Sequence, residues 1–216
     1  HTIPPNNIHE TSYLHVIPAY VSIMHFALTH DWQNKWFCLL TDSCCPIISP
    51  KKFRYLFYNY YEKSLFSWKP IWWNPDFHKR ANLHKLSKEL WLANDPWFVL
   101  TKNNVMQILH FIKSQQTTVK TICEGGFENE SLFAIIFKLY GELENKNIIS
   151  VSTHITDWSR MTSTTSPHVF KDANKQDIKF IDESLNKNEY ALFIRKIAPE
   201  FSDDVLNSYI YERSKM

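Results

Sequence analysis

Only three of the 216 residues are glycine, and two of them, Gly125 and Gly126, stand side by side. Glycine reaches left-handed backbone without steric cost and lets a second backbone or a ligand approach closely. A chain this poor in it has no G-x-G-x-x-G or Walker-type phosphate loop, and G-x-S-x-G is absent. Dinucleotide-binding, P-loop and nucleophile-elbow chemistries are thereby set aside. The doublet leads straight into Glu128-Asn129-Glu130 and then an apolar run, so the scarce residue is spent just ahead of a predicted helix.

The chain is long enough for one domain or a small two-lobed one. A hydrophobic fraction of 44% and an aromatic fraction of 15% supply an ample core. A net charge of +2 gives no reason to expect a nucleic-acid partner. Cys38, Cys44, Cys45 and Cys123 form no C-x-x-C pair, so neither a zinc site nor a disulfide framework follows from their spacing. Buried free thiols are expected, with Cys38 inside an apolar run, and one disulfide stays open as the alternative. No apolar run reaches the length of a membrane span, and no leader signature opens the chain. Its first residue is His1 rather than Met. The chain therefore reads as a fragment, a processed form or a trimmed one.

Residues 1–16 read as an irregular lead-in. Apolar spacing predicts a helix over 19–30. KWFCLLT (35–41) reads as a buried strand, ended by the TDSCCP turn. Ser49 and Pro50 are start signals for a helix whose apolar stripe is Phe53, Leu56, Phe57 and Tyr60. Residues 66–96, rich in tryptophan and broken by Pro70, Pro75 and Pro96, read as a long surface excursion of the functional kind. Strands are predicted at 96–100, 147–153 and 190–197. Helices are predicted at 103–114 and 130–140, near 175–187, and after Ser202. Residues 155–189 otherwise read as loop. The alternation of strands and helices predicts an α/β layered fold in a single domain, 1–216.

IHETSYLH (8–15) begins like a metalloprotease H-E-x-x-H, but Tyr13 stands where the second histidine belongs. The ten histidines are scattered without ligand spacing.

Four stretches, taken in order, point to one family. WFCLLTDSCCPI (36–47) resembles its strand and Ser/Asp turn before Pro-Ile. NDPWFVLTKNNV (94–105) resembles its Gly-Ser-x-Trp-Phe entry to a strand, with Asn94-Asp95-Pro96 in place of Gly-Ser-x. ENESLFAII (128–136) resembles its acid-then-helix segment. ITDWSRMTSTTSPHVF (155–170) and ALFIRKI (191–197) resemble its Asp-Trp-Ser loop and terminal basic strand. The family is the core-2/I-branching β-1,6-N-acetylglucosaminyltransferases, with the peptide O-xylosyltransferases and their plant relatives; the resemblance runs from about residue 10 to 212.

The resemblance implies an A-type (Rossmann-like) nucleotide-sugar transferase fold, a mixed sheet flanked by helices. The family's first strands, which hold much of the uridine site, are not found; they lie upstream of His1 or this member is abbreviated. It also implies inverting transfer of an N-acetylglucosamine- or xylose-class sugar from a UDP-sugar to a glycan or glycoprotein hydroxyl. No metal or other cofactor is implied, and the missing D-x-D triplet agrees. Any membrane contact would come through a segment outside this chain, and the family works in a Golgi-type lumen. The other reading is a degenerate module of the same fold that binds glycan without turnover.

Inverting transfer needs a carboxylate to take the acceptor's proton on the face opposite the leaving group. By resemblance the base is Glu130, otherwise an ordinary helix-start glutamate; Glu128 is the second choice or an acceptor ligand. The leaving diphosphate needs fixed cations. Lys196 matches the family's lysine and Arg195 its arginine variant. In an extended strand they point to opposite faces, so both serve only where the strand ends. Arg160 is a further donor-side cation. Asp42 and Ser43 are donor-side candidates where strand meets turn, or local caps. Asp157, Trp158 and Trp97 are acceptor-side candidates, since aromatic faces stack on sugars and carboxylates bind their hydroxyls; for Trp158 a core position is the alternative. The glycine doublet is expected to bring backbone close to bound sugar.

Overall fold

A computed structural model describes residues 3–5, 8–12 and 14–212; parts of the lead-in and the last four residues lie outside it. In chain order the elements are α1 (Ile17–His30), β1 (Trp36–Cys38), β2 (Cys45–Pro46), α2 (Pro50–Tyr60), β3 (Ser64–Leu65), β4 (Trp68–Pro70), β5 (Leu92–Asn94), β6 (Val99–Thr101), α3 (Lys102–Ser114), α4 (Gln116–Cys123), α5 (Leu132–Leu139), β7 (Ile148–Ile149), β8 (His154–Thr156), α6 (Lys175–Lys187), β9 (Phe193–Arg195) and α7 (Asp203–Asn207). The class is mixed α/β, as expected. The chain gathers into two compact units. Among the described residues no helix is long and apolar enough to cross a membrane.

The first unit takes the chain up to Cys38 together with Glu62–Ser150. Its sheet runs β1-β6-β3-β7, with β6 antiparallel to both β1 and β3, and β3 parallel to β7. Beside it β4 and β5 pair as an antiparallel ribbon. The core is aromatic: Phe66 meets Phe98 and Phe137 at 5.9 and 5.0 Å, and Phe98 meets Phe133 at 5.2 Å. Every residue from Leu132 to Phe137 on α5 is buried, which accounts for a helix apolar all round. A local side-chain cap is missing at the start of α1; instead the Glu128 carboxylate accepts from the Val16 and Ile17 amides at 3.0 and 3.5 Å.

The second unit takes Leu39–Tyr61 and the chain from Val151 onward. Its sheet runs β2-β9-β8, antiparallel then parallel. Ile47, Ile155, Phe170, Ile181, Ile194 and Phe201 form the core between this sheet and the helices. Ser49, Asn174 and Ser202 each accept a backbone amide at the starts of α2, α6 and α7.

Five expectations change. The 35–41 strand is only β1, part-exposed, because β1 is an edge strand with one unpaired side. Cys38 is accordingly exposed, and all four cysteines are free. The 147–153 strand shortens to β7 in the first unit's sheet, and β8 of the second unit's sheet forms beyond it, running into the stretch expected to be loop. The 66–96 stretch is no surface excursion: β4 and β5 close it into a lobe whose Ala81 and Leu83 are fully buried. The 130–140 helix begins at Leu132, and Glu130 instead ends a 3-10 turn, Glu128–Glu130.

Candidate functional site

In the first unit the site is built from two turns pressed together. A Cβ on Gly125 would lie 2.1 Å from the Asn82 nitrogen and 2.6 Å from the Ala81 carbonyl carbon. The close approach that glycine permits is thus to the chain's own Arg80–Lys85 turn. The Ala81 amide donates to the Gly126 carbonyl at 2.8 Å, and the Asn82 side chain donates to the Thr121 carbonyl at 2.8 Å. Gly126 has φ +66°, and Phe127 is left-handed at φ 53° without being glycine. Such backbone costs on the order of 1 kcal/mol and persists only where its surroundings fix it.

This arrangement sets Arg80 against Glu130. Arg80 Nη1 donates to Glu130 Oε2 at 3.1 Å. The guanidinium lies over the rings of Phe127 at 4.6 Å and Trp73 at 5.4 Å. Behind the turn, the buried Asn94 side chain donates to the Asn129 carbonyl at 2.8 Å and accepts from the Ala134 amide at 3.2 Å. It therefore fixes the turn and caps α5, forty residues away in sequence. Burial pushes the Glu130 carboxyl above the usual carboxylate range; Arg80 pulls it down, and Asp95 adds to the rise. Its side chain is 30% exposed, so one face reaches solvent.

Glu128 faces the other way. Its side chain is 1% exposed and its Oε1 caps α1, with the His15 ring 3.9 Å from Oε2. Trp97 is half-buried just before β6.

In the second unit the candidates gather at the carboxyl ends of the parallel strands β8 and β9, the usual ligand position in α/β sheets. Thr156 pairs with Arg195, so Asp157 and Lys196 follow at the same end. The neighbouring β2 runs the opposite way and brings Ser43 there, its carbonyl accepting from the Ile197 amide at 3.0 Å. Asp42 is exposed beside it. β9 ends at Arg195, which meets the condition for both cations to serve. Burial, then Arg195, holds the Lys196 ammonium below the usual lysine range.

Asp157 is fully buried. It accepts from the Ser159 amide and hydroxyl at 2.9 and 2.7 Å and from Arg160 Nε at 2.6 Å. Burial pushes its carboxyl up, but these hydrogen bonds more than offset that and leave it below the ordinary range. Arg160 Nη1 donates to Asp177 at 2.8 Å, and the His168 ring meets the same oxygen at 3.0 Å. Arg160 Nη2 is buried without a hydrogen-bond partner among the described residues. Trp158, next in the loop, is 53% exposed; it is not a core aromatic.

Asp42, Ser43, Asp157, Trp158, Arg160, Arg195 and Lys196 thus belong to the second unit, and Glu128, Glu130 and Trp97 to the first. Sequence reasoning missed Arg80, Asn94, His168 and Asp177. The cluster of Lys and Arg among tryptophans at 68–91 was the one sign of Arg80. Among the described residues no three His, Cys, Asp or Glu side chains come together as metal ligands.

The sequence model of the family described as Core-2/I-Branching enzyme matches residues 3–182. No curated protein matches the chain.

Proposed function

Since the chain belongs to the core-2/I-branching enzyme family, whose members are glycosyltransferases, we propose that it carries out inverting, metal-independent transfer from a UDP-sugar, of the N-acetylglucosamine or xylose class, to a hydroxyl of a glycan or glycoprotein. In the reaction the acceptor oxygen attacks the anomeric carbon as its bond to the diphosphate breaks. The acceptor proton passes to Glu130, and UDP departs with the bonding electron pair. Lys196 and Arg195 counter the charge that develops on the diphosphate. Asp42, Ser43 and Arg160 are assigned to the donor, and Trp158 and Trp97 to the acceptor side. The expected acceptor roles of Glu128 and Asp157 are withdrawn, because both carboxylates are buried and occupied, Glu128 by the α1 amides and Asp157 by Ser159 and Arg160.

The observation that carries this reading is the state of Glu130. It is the carboxylate with one oxygen held by Arg80, a solvent-reaching face, and an affinity for protons raised by burial. A base works best when its pKa approaches the working pH. The exposed Trp158 ring at the carboxyl ends of β8 and β9 supports a sugar-stacking role.

The test is incubation with UDP-N-acetylglucosamine or UDP-xylose and a glycan acceptor, following UDP release and the anomeric configuration of the product. Release with inverted product, unchanged by a chelator, is expected. Activity lost to chelator and restored by manganese overturns the metal-free assignment. Glycan binding without UDP release from either donor selects the non-catalytic binding module instead.

A further inference from the structure

We propose that Arg80 is a positioning residue of the transfer reaction, anchoring Glu130 Oε2 so that Oε1 is presented to the acceptor hydroxyl. The inference rests on the reading of Glu130 as base.

The geometry is specific. The only hydrogen bond made by the Arg80 guanidinium among the described residues is the one to Glu130 Oε2. Glu130 Oε1 accepts none from them. A carboxylate with one oxygen pinned and one open has a defined direction in which to accept a proton, much as an orienting partner fixes a catalytic base elsewhere. The pinning partner is itself held. Its cation lies over Phe127 and Trp73, its backbone follows from the contact of Gly125 with Ala81 and Asn82, and Phe127 adopts left-handed backbone to bring its ring there. An incidental surface ion pair has no such support.

The electrostatics agree. The groups that act on Glu130 are Arg80, from the Arg80–Lys85 turn, and Asp95, just after β5. Glu128, in its own turn, directs its carboxylate to α1 and His15. Arg80 opposes the effects of burial and Asp95, keeping Glu130 ionised to lower pH than those would allow. Its removal therefore moves the acid limb of the rate profile upward in pH.

The test is the pH profile of kcat/KM for Arg80→Gln and Arg80→Lys, with KM for the UDP-sugar measured alongside and Glu130→Gln as reference. In Arg80→Gln the acid limb moves to higher pH, with a loss of roughly 10- to 100-fold on the acid side that narrows as pH rises. KM for the donor changes little. Arg80→Lys keeps the charge and restores the limb, and free guanidinium ion at sub-denaturing concentration rescues Arg80→Ala. An Arg80→Gln profile of wild-type shape, uniformly scaled or unscaled, overturns the proposal while leaving the base assignment intact. An active Glu130→Gln overturns the base assignment itself. Should Arg80→Gln not fold, the pH profile of the Lys variant and the guanidinium rescue decide the same question: a limb that stays in place in Arg80→Lys and returns with guanidinium supports the proposal, and failure of both overturns it.

Discussion

Gly125 lies so close to Asn82 that a methyl group on its α-carbon would sit 2.1 Å from the Asn82 nitrogen. The neighbour is backbone and has nowhere to go. Gly125→Ala therefore costs at least the ~1–3 kcal/mol typical of overpacking, read as a fall in the urea midpoint, and it parts Arg80 from Glu130. Gly141 is the control. Its φ is +69° but nothing lies within 4 Å, so Gly141→Ala loses only the backbone term of about 1 kcal/mol.

Glu128 and Glu130, two residues apart, separate by the same logic. Glu128→Ala removes the cap on α1 and leaves the Val16 and Ile17 amides without it. A loss of about 1–3 kcal/mol in stability follows, while the acid limb of the rate profile, which belongs to Glu130, stays in place. Thermal unfolding and the pH profile, measured together, read both.

The loop after β8 makes a pH prediction. The Asp157 carboxyl is depressed in the fold, so its contribution is fully present above the ordinary carboxylate range. It is lost as pH falls through that range toward the depressed value. Asp157→Asn flattens the acid side of a stability-against-pH curve. Arg160→Met is harsher, because it leaves Asp157 and Asp177 buried and without their guanidinium partner; about 3–5 kcal/mol is expected.

Lys196 carries the alkaline side. Burial and Arg195 hold it below the usual lysine range, so activity that needs its charge declines at lower pH than an exposed lysine would set. Lys196→Arg removes that decline. Lys196→Met lowers kcat by roughly 100- to 1,000-fold, as loss of a fixed transition-state charge does.

Much of the scaffold was legible where local rules decide. Ser49 with Pro50, Ser202, the apolar spacing of α1 and α3, and the polar helical piece near 175–187 announce helices that form within a few residues of their expected bounds. The misses have distant causes. Helix α5 starts two residues late because its cap is Asn94, from another element. The strand expected at 147–153 stops at Ile149, because the chain leaves the first unit's sheet there and pairs again only from His154, as β8 in the second unit's sheet. The Asp157–Arg160 pair lies within one turn of sequence, yet Asp177 reaches it only through the start of α6. Arg80 meets Glu130 across fifty residues, and no periodicity encodes such a meeting. The glycine doublet marked the right place, but what it approaches is the chain's own backbone.

The central claim is tested most directly by Glu130→Gln, assayed for sugar transfer and for UDP-sugar binding by melting shift. The account predicts transfer reduced by about 100- to 10,000-fold, with the UDP-sugar shift unchanged. Transfer at the wild-type rate in that variant contradicts it.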